Sequence, residues 1–254
     1  MITDISPLVH LLLFAVGVFA GFVDSIAGGG GLIALPALLA AGIPPHQALA
    51  TNKLQGSFGT FSSTLNYARL GLASPRSMVL GIVFTFIGAA AGAWAVQQFS
   101  AGFLGVLILV MMTAIFIYTL MTPRLGFRPG PRRLPRPLFY MAAGLLLGFY
   151  DGFFGPGAGS FWTLALVLLL GLGLKEATAE TKAFNLTSNL VALAVFIASG
   201  LVIWSVGLAM GAGQLLGAWA GSTMVHRRDV SFVRLFFLLV VAATIIKLAW
   251  DQFA

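Results

Sequence analysis

The stretch FVDSIAGGGGLIALP, Phe22 to Pro36, sets an acid and four consecutive glycines inside an almost unbroken apolar sequence. Glycine loses more backbone freedom on ordering than any other residue, so such a run is costly inside a helix. A second stretch, FYDGFFGPGAGSFW from Phe149 to Trp162, breaks the backbone again, and again just after an aspartate. The surroundings identify the solvent. Of 254 residues 59% are hydrophobic and 8% charged, and the mean hydropathy is +1.00. A soluble domain carries about 25% charged residues, and 8% cannot cover a water-facing surface. The chain therefore reads as a membrane protein. Its apolar runs, among them Ser77–Val96, Gly102–Met121, Leu138–Tyr150 and Ser231–Trp250, have helical length rather than the ~10-residue alternation of barrel strands.

Other classes of function find little support. The absence of cysteine excludes disulfides and thiolate metal sites. His10, His46 and His226 stand far apart and form no HExxH pair, so no metal is expected. No cofactor is expected either: GGGGLI lacks the lysine of GxxxxGK[ST], and GPGAGS lacks the third glycine of GxGxxG. The opening MITDISPLVH has no base before its apolar run and reads as a retained first span rather than a signal peptide. The net charge of +7 lies mostly in loops. Arg124, Arg128, Arg132, Arg133 and Arg136, laced with prolines, read as a cytoplasmic connector and not as a nucleic-acid surface.

The chain is written twice. Gly21, Asp24 and Gly28 align with Gly148, Asp151 and Gly155. Beyond a two-residue insertion, ALATNKL (Ala48–Leu54) aligns with ATAETKA (Ala177–Ala183), which sets Lys53 on Lys182. Gly71, Gly88 and Gly92 then fall on Gly200, Gly217 and Gly221. The expected organisation is a first repeat over residues 1–121, a Pro/Arg-rich connector over 122–137 and a second repeat over 138–254. Each repeat is read as about five helical segments, in the first copy Leu8–Ile26, Leu32–Ala41, Pro45–Leu70, Ser77–Gln97 and Gly102–Met121. The short segments, 32–41 and 160–170, rise only about 16 Å, half of the ~30 Å hydrocarbon core, and read as half-spans or re-entrant arms. Basic residues flank Gly71–Pro75 but not its counterpart Gly200–Trp204, whereas HRRD (His226–Asp229) replaces the base-free Gln98–Ala101. That exchange is what two copies of opposite orientation require, with the connector inside and both termini outside. The fold class expected is thus an all-α polytopic membrane protein built from two inverted-topology repeats.

The glycine runs then gain a purpose. Non-helical backbone survives at membrane depth only when buried in protein or lining a wet cavity. Gly28–Gly31 and the loop Gly155, Gly157 and Gly159 would offer bare N–H groups, and the helices that follow would point their positive dipole ends to the same place. Lys53 and Lys182 lie at matching depth, and an ionisable residue there is a functional candidate by default. Thr178, Lys182, Asn185 and Asn189 share one helical face; Lys53, Gly56, Thr60 and Ser63 echo it, with Asn52 and Gln55 alongside. Such donors suit a small anion that has shed its water. The competing reading is that the lysines snorkel and the amides hold helices together. Asp24 and Asp151 allow two readings, a salt bridge or cap that orders the loop, or a proton carrier. Glu180 has no acidic twin, since Thr51 stands in its place. Gly17, Gly21, Gly144, Gly148, Gly213, Gly217 and Gly221 have GxxxG spacing and read as packing positions.

The duplicated G-F-x-D…G-x-G loop, followed by a helix carrying N-K or T-K, resembles the TSUP family of membrane proteins, also called TauE/SafE. The likeness covers essentially the whole chain. It implies transport of a sulfur-containing anion, such as sulfite, thiosulfate or an organosulfonate, across a bacterial inner membrane. It further implies substrate contacts from both glycine loops, from Asn52 with Lys53 and from Thr181 with Lys182. Pro156 and Ala158 depart from the plain glycine run of the first loop. The function expected is a secondary transporter or facilitator working by alternating access at a midplane site. The alternatives are a membrane-embedded enzyme acting on a lipid phosphate, or an anion channel. Expected partners are a small anion and the lipid bilayer, with a homodimer left open.

Overall fold

The computed structural model describes residues 6–73, 75–121 and 130–227. The described elements are all helical: α1 (Pro7–Ala27), α2 (Gly31–Ala40), α3 (Pro45–Arg69), α4 (Pro75–Val96), α5 (Ala101–Met121), α6 (Arg136–Phe153), α7 (Ala158–Leu170), α8 (Leu174–Ala198) and α9 (Trp204–Arg227). The expected last span, Ser231–Trp250, and the side chains of His226–Asp229 lie outside the described residues, as does 122–129 of the connector. Prolines open several helices where the missing N–H costs nothing, as Pro7 and Pro45 do at the first turns of α1 and α3. Gly28 ends α1 in the left-handed region at φ 74°, a conformation that a side chain would strain.

Three described helices are long and apolar enough to cross a bilayer, Pro7–Ala27, Ser77–Val96 and Leu174–Ala198. α2 and α7, with 10 and 13 residues, rise only about 15 and 20 Å. The polarity runs inside out. Leu146 is 71% exposed and Trp94 64% exposed, while Lys53, Thr60, Ser63, Lys182 and Ser188 are buried. Apolar side chains outward and polar ones inward is the arrangement that a lipid surround selects.

Contacts fix the helix directions. Gly17 and Gly21 of α1 press on Met210 and Gln214 of α9, so these two run parallel. Gly88 and Gly92 of α4 meet Leu145 and Phe149 of α6 in the same manner. A methyl group at any of these glycines would lie within 2.6 Å of its neighbour, which is why the pairs approach so closely. Thr51, Ser62 and Asn66 of α3 bond Ile203, Leu215 and Ser222, so α3 follows α9. Tyr140 and Asp151 of α6 bond Glu180 and Ser188, so α6 follows α8. Thr60 meets Asn189, whereas Tyr67 shares an apolar cluster with Ala179, so α3 opposes α8. Hence α1, α3 and α9 run one way, and α4, α6 and α8 the other. The polar centre lies between α3 and α8, where the two glycine loops meet.

Candidate functional site

The loops cross at contact distance. A methyl group on Gly28 would lie 2.4 Å from the Gly159 carbonyl carbon, and one on Gly159 would lie 2.6 Å from Gly28 Cα. Ser160 Oγ donates to the Ala27 carbonyl at 2.7 Å, tying one loop to the other. Beside this crossing lies a cavity of about 40 Å³ lined by Asp24, Gly28, Gly31, Asn52, Lys53, Gln55, Gly56, Thr60, Asp151, Gly155, Gly159, Asn185, Asn189 and Gln214. The starts of α2 and α7 both reach it. The N–H groups of Gly31 and Gly159 meet no acceptor among the described residues, leaving helix-start donors of the kind that hold anions elsewhere.

The lysines are paired crosswise. Lys53 Nζ donates to Asp151 Oδ1 at 2.6 Å and also to the Asp151 carbonyl. Lys182 Nζ donates to Asp24 Oδ2 at 2.9 Å. Each lysine thus takes the aspartate of the other sequence copy. Asp24 also accepts the Gly30 N–H at 3.1 Å through Oδ1, which fixes the first loop. Asp151 accepts Ser188 Oγ. Gly155 leaves room for Lys53, since a methyl group there would stand 2.7 Å from Nζ.

Not every expected residue reaches the cavity. The first glycine run divides between the cavity and the loop's own bonds. Gly28 N–H is spent on the Asp24 carbonyl and Gly30 N–H on the Asp24 carboxylate, and neither Gly29 nor Gly30 is in the lining. Gly157 caps α7 at φ 82° and packs towards Ile115. Thr181 is buried against Thr163, 3.1 Å between hydroxyl oxygens. Lys182 is fully buried behind Asp24, and it is Asp24 that lines the cavity. Glu180 stands apart, accepting the Tyr140 hydroxyl at 2.9 Å. Asn52, Gln55, Asn185 and Asn189 do line the cavity, and Gln55 Nε2 donates to Asn52 Oδ1 at 2.7 Å. Gln55 Oε1 and Asn185 Oδ1 are buried without a partner among the described residues.

Gln214 and Ser188 lie outside the expected set. Gln214 is the single amide in the apolar run of α9, and its side chain fills the space that Gly59 leaves. Its isolation amid glycines is a usable signal. Ser188 is one of several hydroxyls on α8, and nothing in the sequence marks it as the partner of Asp151.

The sequence profile of a family described as "Sulfite exporter TauE/SafE" matches residues 13–248. A "Probable membrane transporter protein YfcA" of Escherichia coli K12 is 44% identical over 248 residues, 98% of this chain and 92% of that one. A "Probable membrane transporter protein" of Haemophilus influenzae is 41% identical over 98% of both chains. A more distant relative, "Probable membrane transporter protein YunE" of Bacillus subtilis, is 23% identical over 91% of this chain. No solved structure matches.

Proposed function

Since the chain belongs to the TauE/SafE family and is a membrane transporter, we propose that its cargo is a small sulfur oxyanion, sulfite, thiosulfate or an organosulfonate, bound at the crossing of the two loops. The observation that carries this reading is the convergence on one cavity of two helix starts, whose Gly31 and Gly159 N–H groups meet no acceptor among the described residues. Four carboxamides surround them, Asn52, Gln55, Asn185 and Asn189. At 10–15 Å³ per water position, the 40 Å³ cavity is the size of about three waters. That is the scale of an oxyanion with four or five heavy atoms. The sulfur chemistry comes from the family description, while the anion preference comes from the site.

The opposed directions of α1 and α6, α3 and α8, and α4 and α9 support an inverted repeat over 1–121 and 138–254. So does the exchange of lysine and aspartate between the copies. With a cytoplasmic connector, both termini face the periplasm of an inner membrane, and the cavity opens alternately to the two sides. Cysteines placed at Ala101 and Ser199 should then react with an impermeant reagent from outside, and one at Ser74 from inside. Ser74 and Ser199 reacting from one side would remove the inverted arrangement.

Thermal melting of the purified transporter against sulfite, thiosulfate, methanesulfonate, taurine and inorganic phosphate tests the cargo. A ligand at 100 times its Kd adds about 2.7 kcal/mol, so at least one sulfur anion should raise the melting temperature at millimolar concentration. Stabilisation by phosphate alone would overturn the sulfur assignment.

A further inference from the structure

The binding centre is neutral before any cargo arrives. Lys53 and Lys182 contribute two positive charges, Asp24 and Asp151 two negative ones, in two closed ion pairs. A monovalent anion entering this cavity brings a net charge of −1 into a buried space, and an uncompensated buried charge is strongly unfavourable. A cation that binds with it would offset that charge. From this geometry we infer that Asp24 is the proton-binding site of the transporter, and that one proton on Asp24 accompanies each monovalent anion. The inference rests on the anion-transporter reading above and adds its coupling ion.

Asp24 is favoured over Asp151 by exposure and by partners. The Asp24 side chain is 15% exposed and that of Asp151 4%. Asp151 is gripped by Lys53 through two oxygens and by Ser188. Asp24 holds Lys182 at 2.9 Å and the Gly30 N–H at 3.1 Å. It also stands between Lys182 and the cavity. A proton on its carboxylate therefore removes the charge that masks Lys182, and the lysine's field reaches the cavity without any helix having to move. The charged and titratable groups around Asp24 are few. From α8 comes Lys182, and from α3 Tyr67, whose hydroxyl donates to the Ser25 carbonyl at 2.8 Å. From α9 comes the uncharged Gln214, and across the cavity stand Lys53 and Asp151. α2 and α7 bring only backbone N–H groups and Ser160. A metal cation on the same carboxylate would face the repulsion of Lys182, 2.9 Å away.

Linkage makes the test sharp. If proton and anion bind together, acidification tightens the anion about tenfold per pH unit until Asp24 is protonated in the free protein. Methanesulfonate is the probe, since it stays a monoanion throughout mildly acidic to mildly alkaline pH. Its Kd is measured by calorimetry on wild type, Asp24→Asn and Glu180→Gln, with melting temperatures recorded in parallel. Wild type and Glu180→Gln should show the slope. Asp24→Asn should bind with an affinity independent of pH, and in proteoliposomes it should fail to accumulate methanesulfonate down a proton gradient. A slope that survives in Asp24→Asn, a flat wild-type profile, or a requirement for sodium overturns the inference. A folded wild type that binds no methanesulfonate at any pH overturns instead the sulfonate-carrier reading beneath it.

Discussion

The two sequence copies place the same pair of residues around one cavity, yet the pairs differ in kind. Lys53 and Asp151 are sealed from solvent, with side chains 2% and 4% exposed and Ser188 bound as a third member, although both stand in the cavity wall. Lys182 and Asp24 form a looser pair, with Asp24 15% exposed in the cavity wall and Lys182 buried behind it. The cause lies in their neighbours. Ser188 on α8 aligns with Gly59 on α3, so the first copy has no hydroxyl to offer Asp24, and Gln214 fills the vacated space. In the first loop Gly30 supplies an N–H to Asp24. In the second, the glycine six residues after Asp151 is Gly157, which packs towards Ile115, and the neighbouring Pro156 carbonyl accepts the Tyr150 hydroxyl at 2.6 Å. The sealed pair reads as a strut between the copies and the looser one as the responsive part.

The largest effect should come from forcing the two halves apart at their crossing. Gly28→Val sets a branched side chain at φ 74° and within 2.4 Å of the Gly159 carbonyl carbon. Strain of about 1–3 kcal/mol from the backbone alone is expected, and the clash adds to it. Transport should be lost, and the loop crossing with it. Gly29→Val is the gentler control, because Gly29 is absent from the cavity lining and has no left-handed φ. Equal uptake by both variants would show that the crossing has no bearing on the site.

Breaking the pairs one at a time sharpens the comparison. Lys53→Met strands Asp151, buried and with Ser188 as its remaining side-chain partner. Removal of one member of a buried pair costs about 3–5 kcal/mol, and low yield with a depressed melting temperature should follow. Lys182→Met leaves Asp24 facing the cavity and still bonded to Gly30. Its loss should be nearer the ~1.5–3 kcal/mol of a hydrogen bond to a charged group, and the protein should remain foldable. Methanesulfonate binding by Lys182→Met should nevertheless weaken by roughly ten- to a hundredfold, since the same magnitude is withdrawn from the anion. Identical melting temperatures for the two variants would erase the distinction between strut and responsive pair.

Much of this architecture is legible in the amino-acid sequence. The five expected segments of the first copy match α1 to α5 within two residues at each end, because apolar length, prolines and glycines are local signals. The short helices after each glycine loop are legible for the same reason. Lys53, Asn52, Gln55, Asn185 and Asn189 are reachable through helical spacing, which gathers the polar positions of α3 and α8. Which aspartate each lysine meets is not legible, since the pairs join residues 98 and 158 positions apart. Spacing sets Thr181 beside Lys182 but does not say that Thr163 holds it. The glycine run hides its own division of labour: four identical residues differ only in which N–H a nearby carboxylate takes.

The smallest effect expected is at the joint itself. Ser160 Oγ donates to the Ala27 carbonyl, a bond that runs from the second loop to the first. Ser160→Ala removes one neutral hydrogen bond at a partly open position, worth about 0.5–1.5 kcal/mol, and leaves both ion pairs in place. Melting temperature should fall by a few degrees at most and anion affinity by less than tenfold. The value of the variant lies in its pairing with Lys182→Met. If the loop crossing positions Asp24 for Lys182, the two changes share a structural unit and their effects should fall short of additive. Paired with Lys53→Met, Ser160→Ala should add in full, because the sealed pair is held by Ser188 and not by the joint. Full additivity in both double variants would mean that the crossing and the looser pair are independent, and that the difference between the halves is one of burial alone.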